Sequence, residues 1–102
     1  MLYEMVAIAR YAGVKGVDDA REVCRLVGKM VVNNRGVVRN IQNWGLRPLP
    51  KIVNKDRQSH IVGAHFYMKF DSSPAVQREV LRSLRSDPRI VRSMIVKNGG
   101  DT

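Results

Sequence analysis

The residue pattern at positions 60–70 constrains the fold more than any other feature of the chain. Apolar side chains occupy every second position there, at Val62, Ala64, Phe66, Met68 and Phe70. Because successive side chains of a strand point to opposite faces, this stretch predicts a strand with one wholly apolar face. We therefore expect Phe66 and Met68 in the core, and His65 and Tyr67 on the opposite face.

Two helices are predicted, one on each side of this strand in the sequence. The first is expected to begin at Asp19, which has the spacing of an Asp-type capping box with Glu22, and to end near Asn33. The second begins at Ser73-Pro74, a hydroxyl cap followed by a proline at the first helical position. Their apolar stripes comprise Ala20, Val23, Cys24, Val27, Met30 and Val31 in the first helix, and Val76, Val80, Leu81 and Leu84 in the second.

Three more strands are predicted at residues 2–10, 37–44 and 89–97, which are rich in β-branched and aromatic residues. Residues 45–50 contain two prolines, which cannot donate to a sheet, so we expect an irregular extension of an edge strand there. Residues 51–59 are interpreted as a polar, basic loop.

The predicted order is β-α-β-β-α-β, which is typical of an α+β fold with a four-stranded antiparallel sheet and two helices on one face. Right-handed crossovers place the first and third strands in the centre of the sheet. Residues 1–97 are expected to form a single domain, with residues 98–102 as a flexible C-terminal tail. One sheet face stays uncovered, and we expect this face or a sheet edge to bind a partner.

The charge of the chain indicates a polyanionic partner. The chain has 18 Lys and Arg against 9 Asp and Glu, a formal net charge of +9, with a pI near 10.5. Nucleic acid is the commonest partner of such a domain, because phosphate contacts release counterions. Solubility or an anionic membrane surface is the alternative reading of this charge. No apolar run approaches the roughly 18 residues that span a bilayer, and we expect neither a membrane segment nor a cleavable presequence.

The reactive side chains predict no enzyme, metal site or cofactor. Cys24 lies on the apolar stripe of the first helix, where a buried thiol is inert. His60 and His65 are an odd number of positions apart on a strand, so they point to opposite faces and do not chelate one metal together. No nucleophile, base and orienting group occur at a recognisable spacing. An acylphosphatase-type enzyme is the other enzyme class considered, but we identify no residue in the sequence as its anion-holding arginine.

An RNA-recognition motif has the same order of elements and stacks bases on aromatic residues of its third strand. Residues 63–67 match that pattern in part, because Ala64 stands where the first stacking ring belongs. An independent binder of single-stranded RNA, with His65 and Tyr67 against a base, is therefore the alternative function.

Four motifs in order resemble small-subunit ribosomal protein number six of the bacterial type, in its organellar branch. They are Tyr3-Glu4, Trp44-Gly45-Leu46-Arg47 with Leu49, the glycine and aromatics of residues 63–70, and residues 91–97. The similarity extends over nearly the whole chain. Residues 49–52 look like the mitochondrial version, since they lack the Ala-Tyr-Pro that bacterial members carry after the leucine.

The resemblance implies a ferredoxin-like fold and a structural, non-enzymatic role in the mitochondrial small ribosomal subunit, in the matrix. It implies binding to small-subunit ribosomal RNA (rRNA), to ribosomal protein number eighteen and to other small-subunit proteins, with no small-molecule substrate. By analogy, Tyr3, Met5 and Ala7 face the helices. The rRNA-binding residues are predicted to be Arg47, Arg92, Lys97, Lys51, Lys55 and Arg57. The face for the partner protein is predicted to comprise Val6, Ile8, His65 and Tyr67.

Overall fold

The computed structural model of the protein describes residues 1–11, 14–55 and 58–98. The elements are β1 (Leu2–Arg10), α1 (Val14–Asn33), β2 (Val37–Lys55), β3 (Gln58–Asp71), α2 (Pro74–Ser86) and β4 (Ile90–Lys97). The strands form one sheet in the order β2-β3-β1-β4 with antiparallel neighbours. The predicted ferredoxin-like α+β fold is therefore confirmed, with β1 and β3 in the centre.

The core lies between one sheet face and the two helices. Phe66 is 2% exposed, and Ala64, Met68 and Phe70 of the same strand are fully buried. They pack in one cluster with Tyr3, Met5 and Ala7 of β1 and with the apolar stripes of both helices, except that Leu81 of the second stripe is half-buried and outside the cluster. The alternation in β3 and the predicted register of β1 are both confirmed. The opposite side of the sheet carries neither α1 nor α2 and is called the open face below.

The helix starts differ in how well the sequence predicts them. α2 begins as expected, since the Ser73 hydroxyl accepts a hydrogen bond from the Val76 N–H at 3.3 Å. The predicted start of α1 at Asp19 is wrong, because the helix begins at Val14 and Asp19 lies inside it. Gly16 does not prevent the earlier start, since a glycine within a helix costs only about 1 kcal/mol relative to alanine.

The predicted loop at residues 51–59 is also wrong, because β2 continues to Lys55 and β3 begins at Gln58. Val53 pairs with His60, and Lys55 pairs with Gln58, in a long hairpin. The register of β2 shifts between Pro48 and Val53. This irregularity accommodates the two prolines, which have no N–H to donate to a regular ladder.

The end of this hairpin crosses the open face. Leu49 of β2 packs with Ile8 of β1 and Val91 of β4 in a second buried cluster, and Val53 packs against it. β2 and β4 are opposite edges of the sheet, so this contact requires the last part of β2 to curl over the central strands. The Lys55 ammonium donates hydrogen bonds to the carbonyls of Asp87 and Ile90, which fixes the curled end.

The chain after β4 stays close to the sheet at its first residue, where the Asn98 N–H donates to the Leu2 carbonyl at 2.8 Å. Residues 99–102 lie outside the described part of the chain. The division into one domain and a flexible tail therefore stays a prediction.

Candidate nucleic-acid interface

The part of the open face that the hairpin leaves uncovered carries an apolar strip, defined by Val6, Met94 and Val96. Val6 of β1 pairs with Tyr67 on one side and with Met94 on the other. Met94 is 56% exposed and Val96 is 49% exposed. Contiguous exposed apolar groups on a sheet face are typical of an interaction surface.

A β-bulge places Trp44 beside this strip. The register of β2 shifts between Asn43 and Gly45, so that Trp44 is an extra residue in the strand. Gly45 has a φ of 75°, which suits glycine, and its N–H donates to the Asn43 side-chain oxygen at 2.9 Å. As a result, Trp44 lies against Tyr67 on the open face, with ring centroids 5.7 Å apart and ring planes 10° apart.

Arg47 extends this arrangement into a stack of three side chains, Arg47, Trp44 and Tyr67, which we call the aromatic stack. The Arg47 Cζ lies over the Trp44 ring, 5.5 Å from its centroid, and the Arg47 Nε–H donates to the Trp44 carbonyl at 3.1 Å. The indole N–H of Trp44 donates to the Gln42 side-chain oxygen at 2.9 Å. The ring is thus held in place by a local network.

Tyr67 is anchored at the inner end of the stack. Its hydroxyl donates to the Glu4 carboxylate at 2.7 Å. Burial, followed by the hydrogen bond to Glu4 and its negative charge, raises the pKa of Tyr67. The phenol therefore stays neutral and serves as a hydrogen-bond donor.

The four residues predicted for the partner face all lie on the open face, but they are not equally accessible. Val6 and Tyr67 are half-buried. Ile8 is 6% exposed and His65 is 9% exposed, so neither presents the accessible surface that we expected. The cause at Ile8 is the curled end of β2, because Leu49 and Val53 pack against it. The His65 Nδ1 lies 3.0 Å from the Gly63 carbonyl oxygen.

The six residues predicted to bind rRNA do not form one patch. Arg47, Arg92 and Lys51 are exposed, and Arg92 lies on the open face opposite Ile8. Lys97 is exposed but pairs with Tyr3, whose side chain is in the core, so Lys97 points to the helix side of the sheet. The Lys55 ammonium is bound to backbone carbonyls. Arg57 lies outside the described residues.

The aromatic stack is the feature that sequence reasoning missed. In the sequence Trp44 stands out only as part of a family motif, and Ala64, at the position of the first stacking ring, suggests that the sheet lacks a stacking surface. The local signal was Asn43 two residues before Gly45, which is typical of a bulge or turn that redirects the intervening side chain.

Other chemistry has little support in the described residues. Cys24 is buried, and burial raises the pKa of its thiol, which disfavours the reactive thiolate. Within residues 1–11, 14–55 and 58–98, no three His, Cys, Asp or Glu side chains gather as metal ligands. In the same ranges, neither helix has the length and hydropathy of a membrane span.

Comparisons with known proteins identify relatives of the chain. A family model described as "Ribosomal protein S6" matches residues 2–97. The chain is 38% identical over 99 residues to "Small ribosomal subunit protein bS6m" of Neurospora crassa, covering 97% of this chain and 82% of that protein. It is 28% identical over 82 residues to "Small ribosomal subunit protein bS6" of Geobacter metallireducens, covering 80% of this chain and 66% of that protein.

A solved structure supports the fold. The crystal structure of 30S ribosomal protein S6 from Thermotoga maritima matches with a TM-score of 0.77 and 17% sequence identity, covering 93% of this chain and 84% of that one.

These comparisons confirm the resemblance that the sequence motifs indicated. The family is one of ribosomal structural proteins, not of enzymes. The similarity to bS6m, the mitochondrial form, confirms the predicted mitochondrial localisation. The chain therefore belongs to the ribosomal protein S6 family, in the mitochondrial branch that bS6m represents.

Proposed function

We propose that the chain is a structural constituent of the mitochondrial small ribosomal subunit that binds small-subunit rRNA together with ribosomal protein number eighteen. The observation that carries this proposal is the open face, where an exposed apolar strip lies beside exposed arginines in a member of a ribosomal protein family. Apolar groups suit a protein neighbour, and arginines suit phosphates.

The basic residues supply the rRNA contact in this proposal. Arg47 and Arg92 are exposed on or beside the open face, and Lys51 is exposed on β2. Contacts of this kind hold a protein on RNA without reading the base sequence. Lys97, on the helix side, would contact RNA that extends past the sheet edge, and Arg57 stays a predicted RNA-binding residue. Lys55 would act indirectly, since its ammonium already holds the curled end of β2.

The apolar strip supplies the protein contact. A partner that covers Met94 and Val96 would remove exposed apolar area from water, at roughly 25 cal/mol for each Å². Tyr67 lies next to Val6 at the inner edge of the strip, where an aromatic side chain contributes strongly to an interface. Ile8 and His65 are buried, so they would contribute to this surface by packing beneath it and not by direct contact.

RNA binding by the isolated domain is expected to be weak. Electrostatic contacts alone give dissociation constants of about 10⁻⁴–10⁻⁶ M at physiological salt. A partner bound to the apolar strip would join a second basic surface to the same RNA and raise the affinity through effective concentration.

The test compares two Val→Glu variants in a pairing assay with the number-eighteen protein. Val96→Glu places a charge in the apolar strip, and Val32→Glu makes the same change at a valine that is 59% exposed on α1. We expect Val96→Glu to weaken pairing at least tenfold and Val32→Glu to leave it unchanged. Equal pairing by both variants, or nanomolar binding of small-subunit rRNA by the domain alone, would contradict the proposal.

One observation favours a second function, an independent binder of single-stranded RNA. The aromatic stack provides a stacking surface that Ala64 does not. Such a binder would associate with scattered transcripts rather than with ribosomal particles. The two functions are therefore distinguished by whether the chain in mitochondria co-migrates with small-subunit particles.

A further inference from the structure

A backbone bulge positions the aromatic stack, and packing in the core does not. The bulge at Asn43 and Gly45 turns Trp44 onto the open face, and the ring stays half-buried there. Trp44 is also absent from both buried clusters of the described residues. A large aromatic side chain held at the surface by a specific backbone device is a candidate ligand contact.

The stack has the geometry to receive a planar ligand. The rings of Trp44 and Tyr67 are nearly parallel but offset, since their centroids are 5.7 Å apart, so Tyr67 covers only part of the indole. The Arg47 Cζ is 5.5 Å from the indole centroid, which exceeds a close stacking distance. Trp44 stays partly exposed, and the exposed Arg47 side chain has to shift off the indole for a base to stack on that face.

Arg47 gives this surface a preference for anions. Its bond to the Trp44 carbonyl uses only the Nε–H, and its terminal amino groups donate to no other group in the described part of the chain. The nearby Glu4 carboxylate already accepts the Tyr67 hydroxyl at the inner end of the stack. A planar ring with an attached phosphate matches both the indole and the guanidinium.

We propose that the aromatic stack binds one unpaired nucleobase of RNA, with the base on the Trp44 indole and the phosphate of the same nucleotide on Arg47. This inference rests on the proposed rRNA binding and identifies the RNA as single-stranded at this point. A base in a duplex is covered on both faces, whereas a loop or bulge exposes it for stacking. The net charge of +9 favours RNA over a partner's aromatic side chain as the occupant.

The tryptophan fluorescence of the protein reports whether RNA occupies the stack, because Trp44 is the single tryptophan of the chain. The full chain is titrated at low salt with a single-stranded RNA of about 12 nucleotides, a length within the range that single-strand binders cover. A blunt RNA duplex of the same sequence is titrated in parallel. We expect saturable quenching of the tryptophan fluorescence by the single strand and little quenching by the duplex.

Variants then connect the signal to affinity, measured by the anisotropy of labelled RNA. Trp44→Leu is expected to weaken single-strand binding about tenfold, since base–aromatic stacking contributes on that scale, whereas Trp44→Phe weakens it much less. Duplex binding should be the same for all three proteins. Trp44→Phe retains a ring at the bulge and so controls for loss of local structure.

Three results would overturn the inference. If the single strand binds without quenching and Trp44→Leu retains full affinity, RNA binds elsewhere, and only this inference fails. If the number-eighteen protein alone quenches Trp44 and Trp44→Leu loses pairing instead, the stack belongs to the protein interface. If the wild-type chain binds no RNA even at low salt, with or without that partner, the proposed function fails as well.

Discussion

At the scale of single residues, Phe66 tests the assignment of the two sheet faces. It is 2% exposed on the helix side of β3 and belongs to the main core cluster. We expect Phe66→Ala to lower the free energy of unfolding by about 3–5 kcal/mol, because it removes a buried ring and leaves a cavity. Chemical denaturation measures this loss.

Ile61 of the same strand is the control, since its side chain is 63% exposed. Ile61→Ala should change the free energy of unfolding by less than about 1 kcal/mol. If Phe66→Ala also lowers the free energy of unfolding by less than about 1 kcal/mol, Phe66 and the alternate residues of β3 that share its face lie on the outer side of the sheet.

Asp87 gives the fold a specific dependence on pH. Its carboxylate contacts the Arg89 guanidinium at 2.8 Å in a half-buried turn before β4. Hydrogen bonds from Arg89, opposed by burial, lower the pKa of Asp87 below its ordinary value of 3.8. Because the folded-state pKa is the lower one, this stabilisation is complete above pH 3.8 and is lost as the pH falls through the folded-state pKa.

Asp87→Asn should therefore destabilise the protein at pH 7 by about 1.5–3 kcal/mol, the range for hydrogen bonds to charged groups. The difference between variant and wild type should shrink as the pH falls below 3.8. Denaturation curves across this pH range measure it. If the difference in free energy of unfolding is constant with pH, the charge of Asp87 does not contribute to stability.

At the scale of elements, the curled end of β2 explains why Ile8, which was predicted for the partner face, is buried. The Lys55 ammonium bonds to the carbonyls of Asp87 and Ile90, at the turn before β4. Lys55→Met removes these bonds, so we expect a loss of about 1–3 kcal/mol in the free energy of unfolding. Amide hydrogen exchange near Val53 should also become faster than in the wild type.

Lys51→Met is the matched control, since Lys51 lies on the same strand with an exposed side chain. It should leave both stability and hydrogen exchange unchanged. Equal effects of the two variants would show that the Lys55 bonds do not hold the curled end in solution.

Regular periodicity made most of the elements predictable. The alternation around Phe66 and the Ser73-Pro74 helix start depend on short-range geometry, which the sequence displays directly. The end of β2 was not predictable in this way. Its course is set by contacts of Leu49 and Val53 with β1 and β4, far apart in the chain, whereas the polar, basic composition of residues 51–59 indicated a loop.

The candidate site was predictable only in part for the same reason. Tyr67 follows the strand parity of β3, and Val6 follows the register of β1 that the family resemblance implied; both lie on the open face as predicted. The stack of Trp44 on Tyr67 depends on a one-residue bulge, which changes the parity of everything after it in the strand. Lys55 illustrates a further limit, because a lysine that bonds inside the fold has the same sequence signature as one that meets solvent.

At the scale of the whole molecule, we expect the basic residues on and beside the open face to contact RNA. Arg47→Gln with Arg92→Gln should weaken rRNA binding and reduce the slope of log affinity against log salt by about two units, one for each phosphate contact. Preference among RNA sequences should change little. Affinity measured across a salt series provides the slope.

Arg78→Gln with Arg85→Gln is the control, since both arginines are exposed on α2, away from the open face. This pair of changes should leave the slope nearly intact. If the slope falls only for the α2 variant, the RNA surface lies on the helix side of the molecule.

The central claim is that the chain is part of the mitochondrial small ribosomal subunit, and sedimentation of mitochondrial lysates tests it most directly. At moderate salt, the wild-type chain and Val32→Glu should migrate with small-subunit particles on a sucrose gradient. Val96→Glu, whose charge lies in the apolar strip, should shift toward the top of the gradient. Migration of the wild-type chain away from small-subunit particles, free or with scattered transcripts, would contradict the account.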